Sequence, residues 1–114
     1  MAELTWETAE DTDELHVTLT GELDISNIER FEEDLLALEH PRPALLVLDL
    51  RAVRFIDSTG LSLLLNADAR ARRQGRHVTI VSGNGAARRI MRTVALDQIL
   101  DVKTELPKKD AERS

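Results

Sequence analysis

The run Ala44-Leu45-Leu46-Val47-Leu48-Asp49-Leu50 constrains the fold more than any other stretch of this sequence. It is nearly continuous in apolar character, the pattern of a strand covered on both faces, as in a parallel sheet. Parallel neighbours need crossover connections, so helices are expected on either side of it in the chain.

The flanking sequence meets that expectation. Leu4, Trp6 and Thr8 alternate with polar residues, as do Leu15, Val17 and Leu19, which predicts two half-buried strands. The short polar segment AEDTDE between them predicts a hairpin. Ser26-Asn27-Ile28-Glu29 fits a capping box, with Ser26 at the N-cap and Glu29 three residues on. Ile28, Phe31, Leu35 and Leu38 then recur at helical spacing, and Pro41 and Pro43 end that helix. A second helix is predicted from near Ser58 to Gly75, a strand over His77 to Val81, and a third helix carrying Ala87, Ile90, Met91 and Val94 on one side. A short strand is expected at Asp101 to Thr104. The order predicts an α/β domain: a mixed, mostly parallel sheet of four to five strands opened by an antiparallel hairpin, with about three to four helices. Residues 1–106 are expected to form this one domain and 107–114, PKKDAERS from Pro107, a disordered tail.

Composition removes several functions. With no cysteine there is no disulfide or thiolate metal site. MAELTWETAED lacks the basic start and apolar run of a signal peptide, and no apolar stretch approaches the about 20 residues that cross a bilayer. A soluble cytoplasmic protein without membrane insertion is therefore expected. The net charge of −6 opposes a phosphate backbone, and Trp6, Phe31 and Phe55 are the only aromatic residues available for stacking on bases. Direct nucleic-acid binding is not expected, despite a local basic patch at Arg70, Arg72, Arg73 and Arg76. Arg88, Arg89 and Arg92 read as a solvated helix face. Ser82-Gly83-Asn84-Gly85 reads as a helix-capping turn, since no Gly-Lys-Ser/Thr follows to make a phosphate loop.

The segment Phe55-Ile56-Asp57-Ser58-Thr59-Gly60-Leu61 poses the functional question. Ser58 admits three uses. It is a suitable helix N-cap. As a hydrolytic nucleophile it would need a glycine two residues earlier, where Ile56 stands, and a histidine base, for which only His16, His40 and His77 are present. Asp24 and Asp57 suggest acid–base work, but no substrate pocket is readable from the sequence. As a phosphate acceptor, Ser58 needs only exposure at a helix start, because a kinase brings its own base and nucleotide. Gly60, lacking a side chain, would let another protein's backbone come close. Leu61, Leu64 and Leu65 provide part of a core-facing stripe and Leu63 falls beside it. Either the helix is wedged deep in the core, or part of that surface is for a partner.

Gly21-Glu22-Leu23-Asp24 after the second strand, Leu46-Val47-Leu48-Asp49-Leu50 as the third, and the Asp57-Ser58-Thr59-Gly60 motif together resemble a STAS domain, in particular the stand-alone bacterial anti-sigma factor antagonists, over about residues 4 to 104. The resemblance implies a binding module rather than an enzyme, with no cofactor, metal or catalytic residue. It implies an antagonist that, unphosphorylated, binds an anti-sigma factor that is also a serine kinase and so frees a sigma factor. Phosphorylation at Ser58 would break the complex and a serine phosphatase would restore it. The partner-binding residues implied are Asp24, Asp57, Ser58, Thr59, Gly60 and Leu61, with Asp24 aiding recognition by the kinase. A STAS subunit of another assembly, such as a stress signalling complex or a lipid transporter, is the alternative. Family members often end in an amphipathic helix, and PKKDAERS offers no apolar stripe for one.

Overall fold

A computed structural model describes residues 3–40 and 43–107. The elements run β1 (Leu4–Asp11), β2 (Glu14–Leu23), α1 (Ile28–Leu38), β3 (Leu45–Ile56), α2 (Ser58–Arg73), β4 (His77–Val81), α3 (Ala86–Thr93), a 3-10 turn at Leu96–Gln98, and β5 (Asp101–Lys103). They make one five-stranded sheet in the order β1-β2-β3-β4-β5. The first pair is antiparallel and the rest are parallel, so the fold is the mixed α/β sheet expected. Each parallel step moves to the next strand in the same direction. Right-handed crossovers therefore carry α1, α2 and α3 to one face of the sheet.

On that face Phe31, Leu35, Leu63, Leu64, Ala67, Ala71, Ala87 and Met91 from the helices meet Leu15, Val17, Leu19, Leu46, Leu48, Leu50, Val78 and Ile80 from the strands in one core. From Leu46 to Leu50 every residue of β3 is buried, as its composition demands. The polar exception, Asp49, is satisfied by Arg51, whose guanidinium donates to both carboxylate oxygens at 2.7–3.2 Å.

Several local expectations need correction. Strands β1 and β2 extend through AEDTDE, leaving a two-residue turn at Thr12-Asp13 with Asp13 left-handed (φ 62°). Strand β3 runs on to Ile56, because Val53 and Ile56 also reach the core and two register shifts against β2 keep the strands paired. Ser26 does not cap α1. Its hydroxyl donates to Asp24 Oδ1 at 2.6 Å, and Asn27 occupies the N-cap position with its amide folded back onto the Glu22 carbonyl at 2.8 Å. Val94, expected on the buried side of α3, is exposed just past the helix end. Pro41 and all of the expected tail beyond Pro107 lie outside the described residues.

The end of α2 follows the expectation. Gly75 is left-handed (φ 70°), with the Arg76 N–H bonded to the Ala71 carbonyl and the Gly75 N–H to the Arg72 carbonyl. This Schellman arrangement satisfies the last carbonyls of the helix. It also turns buried Arg76 toward Glu39 at the end of α1. Glu39, itself buried, accepts from Arg76 at 3.1 Å and from Arg70 at 3.1 and 2.8 Å, tying the far ends of α1 and α2 together.

Candidate functional site

Parallel β2 and β3 end side by side, with Leu23 paired to Ile56, and the segments that follow them fold against each other. Asp57 joins the two. Its Oδ2 accepts from the Ile25 N–H at 3.0 Å, and its Oδ1 accepts from the Thr59 hydroxyl at 2.5 Å and the Gly60 N–H at 3.0 Å. Burial alone would push this carboxyl up. The hydrogen bonds from Thr59, Gly60 and Ile25 outweigh that effect and hold it below the usual aspartate value. The residue is thus the N-cap of α2, which corrects the capping alternative for Ser58.

Ser58 occupies the first helical position, exposed, and its hydroxyl makes no hydrogen bond among the described residues. Among the described residues no histidine bonds to it: His16 pairs with Glu14, His77 with Asp101, and His40 stands beyond the far end of α1 with Glu39, Arg70 and Arg76. Thr59 and Leu61 are half-buried. Gly60 is not an open approach for a partner. It is buried, and a Cβ there would stand 2.7 Å from Ile56 Cγ2 and 2.9 Å from the Leu23 carbonyl oxygen. The missing side chain lets α2 press against β2 and β3 instead.

The leucines divide along the same line. Leu63 is 3% exposed and Leu64 fully buried, while Leu61 and Leu65 pack half-buried against the core. The helix is wedged, and its leucines do not form an apolar docking surface. Apolar surface near Ser58 comes from elsewhere: Ile25 is 75% exposed and Phe55 47%. Together with Glu3, Leu4, Thr5, Asp24, Ser26, Asn27, Arg30 and Asp57 they line a groove of about 890 Å³. Sequence reasoning missed both residues. An isoleucine set between polar residues in a loop, and a phenylalanine beside buried Ile56, were the signals available.

Asp24 is held in the same loop. Its Oδ1 accepts from the backbone and hydroxyl of Ser26, and its carbonyl accepts from the N–H groups of Asn27 and Ile28. Ser58 and Thr59 line a neighbouring groove of about 280 Å³ with Ile28, Glu32, Ser62, Leu63 and Asn66. Of the six residues singled out from the sequence, Asp24 and Asp57 share the larger groove and Ser58 and Thr59 the smaller, while Gly60 and Leu61 line neither.

No helix among the described residues is long and apolar enough to cross a membrane. A model of the family described as "Mlab, STAS domain" matches residues 6–102. No curated protein matches the sequence. Among solved structures, an anti-sigma factor antagonist from Mycobacterium paratuberculosis is similar at a TM-score of 0.82 and 25% identity, over 91% of this chain and 88% of that one. The anti-sigma factor antagonist SpoIIAA in its unphosphorylated form is similar at 0.72 and 16% identity, over 89% and 90%. The Bacillus cell fate determinant SpoIIAA in its phosphorylated form is similar at 0.68 and 15% identity, over 96% and 98%. The last two share the fold. With the family match spanning most of the chain, this protein belongs to the STAS domain family.

Proposed function

We propose that this protein is a cytoplasmic anti-sigma factor antagonist, a binding module switched at Ser58. Unphosphorylated, it would bind an anti-sigma factor with serine kinase activity and release a sigma factor. Phosphorylation of Ser58 would end the complex, and a serine phosphatase would reset it. The observation that carries this reading is the exposed Ser58 hydroxyl at the first turn of α2, without a hydrogen bond among the described residues and near the apolar residues Ile25 and Phe55. Likeness to anti-sigma factor antagonists supports it.

Electrostatics gives the direction of the switch. A phosphate of charge about −1.5 to −2 would stand beside the Asp57 carboxylate. Pressed into an interface, such a defect costs about 2–5 kcal/mol, or about 30- to several-thousand-fold in Kd. The helix N-terminus returns only about 0.3–1 kcal/mol at an exposed site. Repulsion wins, provided the partner covers Ser58. Asp24, Asp57, Thr59 and Leu61 would border that contact, with Gly60 acting from inside by setting the position of the turn.

The test is intact mass after incubation with ATP and the serine kinases of the same genome, with the modified residue mapped. A single phosphate on Ser58 is expected; modification elsewhere, or none by any kinase, overturns the reading. The second reading is the alternative that the sequence resemblance left, a STAS subunit of a lipid-transporter assembly; the family match over residues 6–102 is compatible with both. Co-purification separates the two: a small kinase-like partner supports the first and membrane components the second.

A further inference from the structure

Among the described residues, the arginines outside α3 have partners, with exposed Arg73 at the end of α2 the exception. Arg51 is paired with Asp49, Arg54 with Glu22, Arg70 and Arg76 with Glu39, and Arg72 with Asp68. Arg30 lies over the Trp6 ring at 5.3 Å. On α3, by contrast, Arg88, Arg89 and Arg92 have neither an ion pair nor a side-chain hydrogen bond among the described residues. These three, with Asn84 and Thr93, line a groove of about 530 Å³ with no acidic residue among its described lining.

Helical spacing builds this surface. Ala87 and Met91 are buried and Ile90 is half-buried, so Arg88 and Arg92 form one row along the helix and Arg89 begins the next. Thr93 turns its hydroxyl inward to the Arg89 carbonyl at 2.8 Å, leaving the guanidinium groups as the polar functions of the groove, with the Asn84 amide at its end. In a chain of net charge −6 this is a local inversion of sign.

We propose that the α3 groove is a docking surface for an acidic segment of a protein partner, separate from the Ser58 surface. Arginine forks match carboxylates two bonds at a time, and Arg88 and Arg92 on adjacent turns set two such forks side by side. A protein segment fits better than other polyanions. The chain's net charge opposes a long phosphate backbone, and the groove has no aromatic side chain on which a base could stack. Anionic membrane surfaces are recognised by clusters of about 4–8 basic residues, more than this face carries.

The probe is a ten-residue peptide of alternating Asp and Glu, titrated into the full isotope-labelled chain and followed by amide chemical shifts. Shifts are expected at Asn84 and over Arg88 to Thr93, with binding weakened at least about tenfold between 20 and 200 mM salt as screening grows. Arg88→Glu with Arg92→Glu should abolish the shifts, and Arg88→Gln with Arg92→Gln should weaken binding about tenfold. Both pairs change exposed or half-buried side chains, and an unchanged amide spectrum away from α3 verifies the fold. Absence of shifts on α3, or an affinity indifferent to both pairs, overturns the proposal. Tighter binding of a decathymidine strand or of phosphatidylglycerol vesicles at the same residues also overturns it, by reassigning the groove. None of these readouts involves Ser58 or a kinase, so the proposal stands or falls independently of the switch.

Discussion

The Ile25 N–H donates to the Asp57 carboxylate across 32 positions of the chain, and this bond fastens the loop after β2 to the first turn of α2. One side chain thereby caps a helix and fixes an exposed isoleucine near the candidate phosphate acceptor. Asp57→Ala should cost about 0.5–2 kcal/mol in urea unfolding from the lost cap, and should speed amide exchange at Ile25 more than at core strand positions. The same carboxylate gives a pH dependence. Its folded pKa lies below the unfolded one, so its stabilisation is complete above about pH 3.9 and is lost as pH falls through the folded value. Asp57→Asn should therefore show a shallower acid loss of stability than wild type. Part of the slope should remain, because Asp101, whose carboxyl is raised by burial but lowered further by His77, Thr79 and Lys103, titrates in the same direction.

Apolar contacts at the rim should carry affinity for the anti-sigma partner. Ile25→Ala and Phe55→Ala are each expected to weaken binding by about 1–2 kcal/mol in calorimetry, with little effect on unfolding, because both side chains are already exposed. Ser58→Ala should bind as wild type and resist phosphorylation. Equal, tight binding by Ser58→Asp would count against repulsion as the switch.

Gly60→Ala tests the close approach of α2 to the strand ends. Helix propensity favours alanine by about 0.8–1 kcal/mol, but the new methyl would meet the Leu23 carbonyl oxygen at 2.9 Å, and backbone does not yield cheaply. Overpacking costs about 1–3 kcal/mol, so a net loss of stability is expected. A gain would show that the turn has room to shift.

At the opposite end of the helices, Glu39→Ala leaves Arg76 buried and unpaired. A loss of about 3–5 kcal/mol is expected from breaking such a pair, enough to lower the thermal midpoint by many degrees. Glu39→Gln, which keeps an acceptor for the guanidinium groups, should lose less.

Strand pattern and chain order made the sheet legible because its cause is local: Leu46 to Leu50 reads as buried at every position and is. The wedge of α2 was only half legible. Whether Leu63 faces core or solvent depends on how far the helix sinks between its neighbours, and that depth is set by Gly60 meeting Leu23, a contact between residues far apart in sequence. Capping failed for a related reason. Ser26 and Asp57 both have the chemistry of a cap, but Asp24 claims the Ser26 hydroxyl first, while Asp57 gains a third donor, Ile25, that no local window contains. Ile25 and Phe55 escaped notice because an exposed apolar residue is ordinary one at a time, and only the pairing of the strand ends brings both to one groove.

Trp6, the sole tryptophan, stands edge-on to Phe31 at 4.9 Å, donates its indole N–H to Asp34, and has Arg30 over its face. Arg30 also forms part of the wall of the Ile25 groove. Whatever displaces that guanidinium alters the electric field across a single fluorophore, so the domain carries its own optical gauge of occupancy and needs no dye to be attached.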